Sequence, residues 1–365
     1  MPYLTDMYHA QNKTAESAHS NGTDHPTTAT GFSRDELVAS LSSRILGQSN
    51  AVEAVARAVS IGHVGVADPD RPLSSVLLVG PTGVGKTELV RRLAAHLRSG
   101  PDDLCRIDMA ALAQEHYAAS FSGAPPGYAG SKESFTLFDK DRIEGNAYTP
   151  GIVLLDEIEK ADPTVIRALL HILDSGELRL SNGREKISFR NSYIFITSNL
   201  GSREVADSAR TSAHAPWWRQ LLTRATARSD GRRRGAIIDA VEEFFDPEFV
   251  NRIDEIAVLD PLTVDTSRAV IAREVDELSR RLARESLTLH VDDSVIVLLQ
   301  DHGFDPVYGA RGLRRSIRTL LVSPVAECIL RERPHGQQPL ALHATATGAG
   351  VTVRRSDTEA GAPTR

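Results

Sequence analysis

The 365-residue sequence contains only two cysteines, Cys105 and Cys328, with three methionines and two tryptophans. Two cysteines cannot build a disulfide framework or a four-cysteine zinc site, so a reducing cytoplasm is the expected location. Long apolar runs are missing too. Nowhere do eighteen apolar residues run together, and the N-terminus MPYLTDMYHAQNKT has no basic segment leading into an apolar one. Neither a transmembrane helix nor a conventional secretory signal is therefore expected. Positive charge is not in excess: the formal net charge is -6, which argues against a chain that coats nucleic acid. Lysine is scarce, 6 residues against 36 arginines, a bias that on its own assigns no arginine-specific recognition. The remainder is ordinary globular composition, 41% hydrophobic and 25% charged, at a length that suits two or three units.

Residues 1–32 are Ser, Thr, Asn, His and Gly with little apolar periodicity, and read as a disordered tail that cannot offset the entropy of ordering. From Ser33, Leu37, Leu41 and Ile45, then Val52, Val55 and Val59, recur at helical spacing around Gly47, predicting two helices and a turn. Short apolar runs then alternate with helical segments, the pattern of a parallel sheet with crossover helices. The expected strands are Val76–Val79, Leu104–Ile107, Ile152–Leu155, Tyr193–Thr197 and Ile256–Leu259. Beyond Pro261 the texture is helical, closing on a hairpin of Leu340–Ala344 and Val351–Val353. The expected division is a large α/β domain over 33–262, a smaller mainly helical domain over 263–356 and a flexible end at 357–365. Arg203 to Gly235, which holds Trp217 and Trp218, fits neither pattern and reads as a surface excursion.

The first strand runs into Gly80-Pro81-Thr82-Gly83-Val84-Gly85-Lys86-Thr87 and then a helix, giving the phosphate-binding loop both its spacing and its context. Glycines let successive N–H groups turn toward phosphate oxygens, Lys86 reaches the β and γ phosphates, and Thr87 supplies a hydroxyl to Mg2+. The third strand ends in Asp156-Glu157, where a doubly wound sheet places its chemistry. Asp156 is expected to hold Mg2+ through water, and Glu157 to orient and deprotonate the attacking water. Asn199, after the fourth strand, could hydrogen-bond the γ phosphate or that water, although taken singly it reads as a turn residue. Arg252 and Arg311 carry no functional claim unaided in so arginine-rich a chain.

Together these residues resemble the Clp family of AAA+ ATPases, specifically the second ATPase ring of the Clp disaggregases. The resemblance spans about residues 41 to 335: ILGQ from Ile45, GPTGVGKTEL from Gly80, RIDM from Arg106, GAPPGYAG from Gly123, LLDEIEKA from Leu154, FRNSYIFITSNLGS from Phe189, FDPEFVNRIDEI from Phe245 and YGARGLRR from Tyr308. It implies a P-loop NTPase fold with a five-stranded parallel sheet and a helical lid, ATP and Mg2+ as ligands, and ATP hydrolysis. It further implies that Ile45 and Leu46 line the adenine pocket, that Asn199 is sensor 1, and that Arg311 is sensor 2. Arg252 becomes an arginine finger acting on a neighbouring subunit, which implies a homo-oligomeric ring, usually a hexamer. Gly127-Tyr128-Ala129-Gly130 matches the loop that grips client polypeptides in a central pore, and Glu177 to Ile187 the second pore loop.

The sequence departs from the family where Ala129 replaces the common Val and Ser131-Lys132-Glu133 follow instead of Tyr and acidic residues. Within this sequence no first ATPase ring, coiled-coil middle domain, folded N-terminal substrate domain or cysteine-rich zinc module is expected. No Ile-Gly-Phe/Leu tripeptide lies between Asn199 and Arg252, so docking to a protease is not expected. The leading expectation is a protein remodeller or unfoldase. A nucleic-acid motor is disfavoured because Tyr128 sits in an apolar, glycine-flanked loop, and an ATP-gated assembly switch is the remaining alternative.

Overall fold

A computed structural model describes residues 32–114, 138–146, 148–179, 186–201, 226–304, 309–333, 339–348 and 350–356. The first helix among the described residues, α1 (Arg34–Ser42), begins at a capping sequence, Ser33 accepting from the Glu36 N–H, and buries Leu37 and Leu41. Helix α2 (Ser49–His63) buries Val52, Val55 and Val59, so the two predicted helices are present with Gly47 between them.

The chain then alternates. Strand β1 (Ser74–Val79) leads into α3 (Lys86–Leu97) and then β2 (Cys105–Asp108). Helix α4 (Lys140–Glu144) precedes β3 (Gly151–Asp156). Helix α5 (Pro163–Ser175) has its N-cap in Asp162, which accepts from the Thr164 N–H, and Pro163 at its first position, where no donor is lost. A small hairpin, β4 (Glu177–Arg179) with β5 (Lys186–Ser188), leads to β6 (Ser192–Ser198). Helix α6 (Thr226–Phe244), short α7 (Pro247–Asn251) and β7 (Glu255–Val258) follow.

Strands β1, β2, β3, β6 and β7 form one parallel sheet in the order β2-β3-β6-β1-β7. All five expected strands are there, each within two residues of its predicted ends. Every residue of β1, β3 and β6 is buried, as a sheet covered on both faces requires. Because β3, β6 and β1 are consecutive in the sheet, the residues leaving their C-terminal ends are about 5 Å apart from strand to strand.

One expectation is corrected. Arg203 to Gly235 is not irregular throughout, since α6 begins at Thr226. Its Ala and Arg residues have high helix propensity, and Ile237 and Val241 inside α6, with Phe245 just beyond it, recur every fourth residue and are buried against the sheet domain. Trp217 and Trp218 lie outside the described residues.

The remaining chain builds a second apolar cluster, which runs from Leu262 to Val353. It comprises α8 (Val264–Ala283), β8 (Leu287–Val291), α9 (Asp293–Gly303), α10 (Ala310–Ser316), α11 (Ser323–Glu332), β9 (Leu340–Thr347) and β10 (Gly350–Arg355). A π-helical stretch, Ile317–Val322, joins α10 to α11 just ahead of Pro324, which has no N–H to continue the ladder. The predicted hairpin is present as antiparallel β9 and β10, and β8 adds a parallel third strand that helical texture had concealed.

Candidate nucleotide site

A cleft of about 470 Å3 lies where the ends of β1, β3 and β6 face the second cluster. The end expected to take phosphate is built by the turn from β1 to α3. Gly80 has φ +153, and a Cβ there would stand 2.4 Å from the Leu259 carbonyl oxygen, so only glycine leaves the strand this way. Lys86 opens α3, is 8% exposed, and donates from Nζ to Gly80 O at 2.5 Å, Pro81 O at 2.9 Å and Asn199 Oδ1 at 2.8 Å. Burial pushes its ammonium down to about 8, opposed by the carboxylates of Glu159, Asp156 and Glu157, while Arg311 reinforces the shift. A desolvated cation with only neutral acceptors is poised for an anionic ligand.

The acidic side is organised by Thr197. Its Oγ1 donates to Asp156 Oδ1 at 2.5 Å and accepts from the Glu157 N–H at 3.0 Å. Thr87 Oγ1 stands 3.3 and 3.4 Å from the two Asp156 oxygens, and Arg106 pairs with Asp156 Oδ2 at 2.5 Å. Glu157 has φ +61, a left-handed conformation that costs a non-glycine residue free energy and is held here by bonds to Thr197 and Lys160. Asn199 links the parts. Its Nδ2 donates to Glu159 Oε1 at 3.1 Å and Glu157 Oε1 at 3.4 Å, and Thr82 Oγ1 donates to its Oδ1 at 3.3 Å.

The opposite end of the cleft is apolar, lined by Ile45, Leu46, Leu262 and Val270. The Gln48 amide grips Asp260 by both main-chain groups, at 2.8 and 2.9 Å, which fixes the ILGQ turn to the start of the second cluster. That cluster also touches the phosphate loop: the Ala310 N–H donates to Gly83 O at 3.0 Å. Gly309, with φ +53, permits this approach, because a Cβ would lie 2.9 Å from both Thr82 O and Gly83 O.

The structure thus brings Ile45, Leu46, Thr82, Gly83, Val84, Gly85, Lys86, Thr87, Asp156, Glu157, Asn199 and Arg311 to one cleft, with Gly80 and Pro81 behind it as acceptors for Lys86. Arg252 does not line the cleft; its guanidinium pairs with Asp174 at 2.8 Å. Gly127, Tyr128, Ala129 and Gly130 lie outside the described residues, as do 180–185 of the expected second pore loop. Thr197, Arg106 and Glu159 escaped sequence reasoning. Each lies inside a matched motif, but only strand register shows that Thr197 serves two acids at once.

The AAA domain (Cdc48 subfamily) matches residues 71–256, and the C-terminal, D2-small domain of ClpB protein matches 262–339. The chain is 59% identical over 358 residues to an ATP-dependent protease ATP-binding subunit-like protein of Rhodococcus erythropolis, covering 98% of this chain and 100% of that one. It is 42% identical over 296 residues to the ATP-dependent protease ATP-binding subunit-like protein AmiB of Pseudomonas aeruginosa, covering 81% and 79%. With Chaperone protein ClpB 1 of Thermosynechococcus vestitus the identity is 39% over 291 residues, 80% of this chain but 31% of the relative.

Proposed function

Because the chain belongs to the Clp family of AAA+ ATPases, we propose that it uses ATP hydrolysis in a homo-oligomeric ring, hexameric by family habit, to remodel or unfold client polypeptides. ATP binding and hydrolysis themselves follow from the family. The observation that carries the assignment of roles is the convergence of three adjacent strand ends on Lys86, Asp156, Glu157 and Asn199.

In this reading residues 33–262 form the ATPase domain and 263–356 the lid. Lys86 exchanges its neutral acceptors for phosphate oxygens. Thr87 and Asp156 are hard oxygen donors side by side, the donor type Mg2+ takes, and they would hold it. Bound Mg2+ supplies charge neutralisation on the phosphates. Glu157 takes the proton of the attacking water, and Asn199, which touches both Lys86 and Glu157, keeps that water and the γ phosphate in register. Ile45 and Leu46 receive the adenine, and Arg311 reaches the phosphates from the lid.

Arg252 is assigned to the neighbour's nucleotide. Its carbonyl is bonded to Ser75 at the start of β1, while the phosphate loop begins at Gly80. Five residues of extended strand, about 17 Å, separate the two, too far for the finger to serve its own site. Tyr128 is assigned to the pore by resemblance alone.

Two relatives named ATP-dependent protease ATP-binding subunit-like proteins raise a second reading, in which the ring feeds a peptidase. The absent docking tripeptide favours action without one. Affinity capture on Glu157→Gln, which should bind ATP without hydrolysing it, tests both. A trapped polypeptide with no peptidase is the expected result. A stoichiometric peptidase would establish the second reading, and stimulation of wild-type ATPase by single-stranded DNA rather than unfolded protein would overturn the first.

A further inference from the structure

We propose that Arg71 is a positioning residue for Arg252 and therefore acts, through it, on the active site of the neighbouring subunit. The inference rests on the reading of Arg252 as a finger in trans. Arg71 stands before β1, outside every motif used above, and does not line the cleft. Its side chain reaches three places at once. Nε donates to the Leu173 carbonyl at 3.0 Å, Nη2 donates to the Arg252 carbonyl at 3.0 Å, and Nη2 pairs with Asp254 Oδ1 at 3.4 Å.

These contacts converge on one object. Asp174, next to Leu173, holds the head of the finger through Arg252 Nη1 at 2.8 Å. The Arg252 carbonyl is the base of the same finger, and it also accepts from Ser75 Oγ at 3.1 Å. Asp254 in turn accepts from the Ser75 N–H at 2.7 Å and shares the single Ser75 hydroxyl hydrogen, with Oγ at 2.8 Å, with that carbonyl. One planar guanidinium therefore bonds both the end of α5 and the residue carrying the finger, and through Asp254 it is linked to Ser75 on β1. The fork matters: a planar, pre-organised donor set spans two carbonyls and a carboxylate, whereas an ammonium on a flexible stem fixes fewer directions. An arginine finger is effective only when its head is placed on the transferring phosphoryl group, so loosening its base should lower turnover next door while leaving the loosened subunit's own phosphate cradle intact.

The test is a mixed-ring experiment with Arg71→Ala, which a general loss of structure cannot imitate. Homomeric Arg71→Ala rings should turn over ATP at least tenfold more slowly, with ATP affinity per subunit within twofold of wild type. Co-assembled with Glu157→Gln, Arg71→Ala should regain activity, since its intact base then faces an intact finger. Co-assembled with Arg252→Ala it should regain none, since every finger is then defective. The opposite pattern would place Arg71 in its own nucleotide site and overturn the proposal, and so would no recovery with either partner in proven co-assemblies. The control pair, Arg252→Ala with Glu157→Gln, separates the two levels: if that pair fails to recover, the shared-site reading falls and the proposal with it, whereas if only the Arg71→Ala pairs fail, the Arg71 assignment alone is wrong. Should Arg71→Ala not fold, as judged by its melting curve, Arg71→Lys carries the same test. It should show a smaller loss and the same mixing pattern; an unchanged turnover in Arg71→Lys, or a loss with the cis mixing pattern, would reject the role.

Discussion

Thr197 donates its hydroxyl to Asp156 Oδ1 at 2.5 Å while accepting the Glu157 N–H at 3.0 Å, so one fully buried side chain on β6 fixes two consecutive acids at the end of β3. The consequence is testable with an isosteric change. Thr197→Val keeps the volume and the strand but leaves a carboxylate oxygen and an N–H without that partner. The fold should lose about 2 kcal/mol, the scale of a buried hydrogen bond to a charged group. Turnover should fall further, by about 10²-fold, because a small displacement of Glu157 would misplace it for its proposed role as the base. Chemical denaturation beside steady-state phosphate release measures both; equal, small effects on the two would reduce Thr197 to a packing residue.

Binding and hydrolysis should separate cleanly between Lys86 and Glu157. Glu157→Gln keeps the phosphate cradle and removes only the group that can take a proton, so nucleotide affinity should persist while hydrolysis nearly stops. Lys86→Ala removes the buried cation proposed to meet the phosphates, and affinity itself should drop. Fluorescent-nucleotide titration with single-turnover hydrolysis distinguishes the two, and wild-type turnover in a contaminant-free Glu157→Gln preparation would refute the assignment of the base.

Most of the sheet and the phosphate site can be read from sequence because their signals are local. Gly80 to Thr87 carries its mechanism in eight consecutive residues, and the fully buried strands are short apolar runs with polar ends. What escaped is non-local or weakly patterned. Thr197 bonds to residues 40 and 41 positions away, and its partners follow only from the β3–β6 pairing. The contact of Ala310 with Gly83 joins two apolar clusters that no periodicity relates. Helix α6 was obscured by an Arg-rich start, although Ile237 and Val241 already had helical spacing. Strand β8 has only two buried residues, Leu287 and Leu289, between helices.

Lys86 gives the site a pH signature. Its ammonium is lowered from the usual 10.5 to about 8 by burial, so the folded protein releases this proton before the unfolded chain does. The charged form therefore costs stability below about 8, and that cost is relieved as pH rises from 8 toward 10.5. Nucleotide binding should work in the opposite sense. Phosphate oxygens favour the ammonium, so ATP binding above pH 8 should take up a proton and weaken as pH rises. Calorimetric titrations in buffers of different ionisation enthalpy measure the uptake directly. Lys86→Met should abolish it; uptake that survives the substitution would locate the titrating group elsewhere.

Tyr128 should separate the ATP cycle from mechanical work. By resemblance it belongs to a glycine-flanked pore loop, and in sequence it is well removed from Lys86, Glu157 and Asn199. Tyr128→Ala should accordingly keep basal hydrolysis. Coupling to a client should fail, because a buried aromatic ring gains about 1.5 to 3 kcal/mol against a passing chain and an alanine methyl offers far less surface. Tyr128→Phe should retain most of the activity, since the grip depends on the ring more than on the hydroxyl. The measurement is ATP-dependent loss of fluorescence from a folded, tagged client, scored beside phosphate release in the same reaction. If Tyr128→Ala unfolds that client at the wild-type rate, threading through an aromatic pore is the wrong account of this ring, and a switch in which ATP only gates assembly becomes the better one.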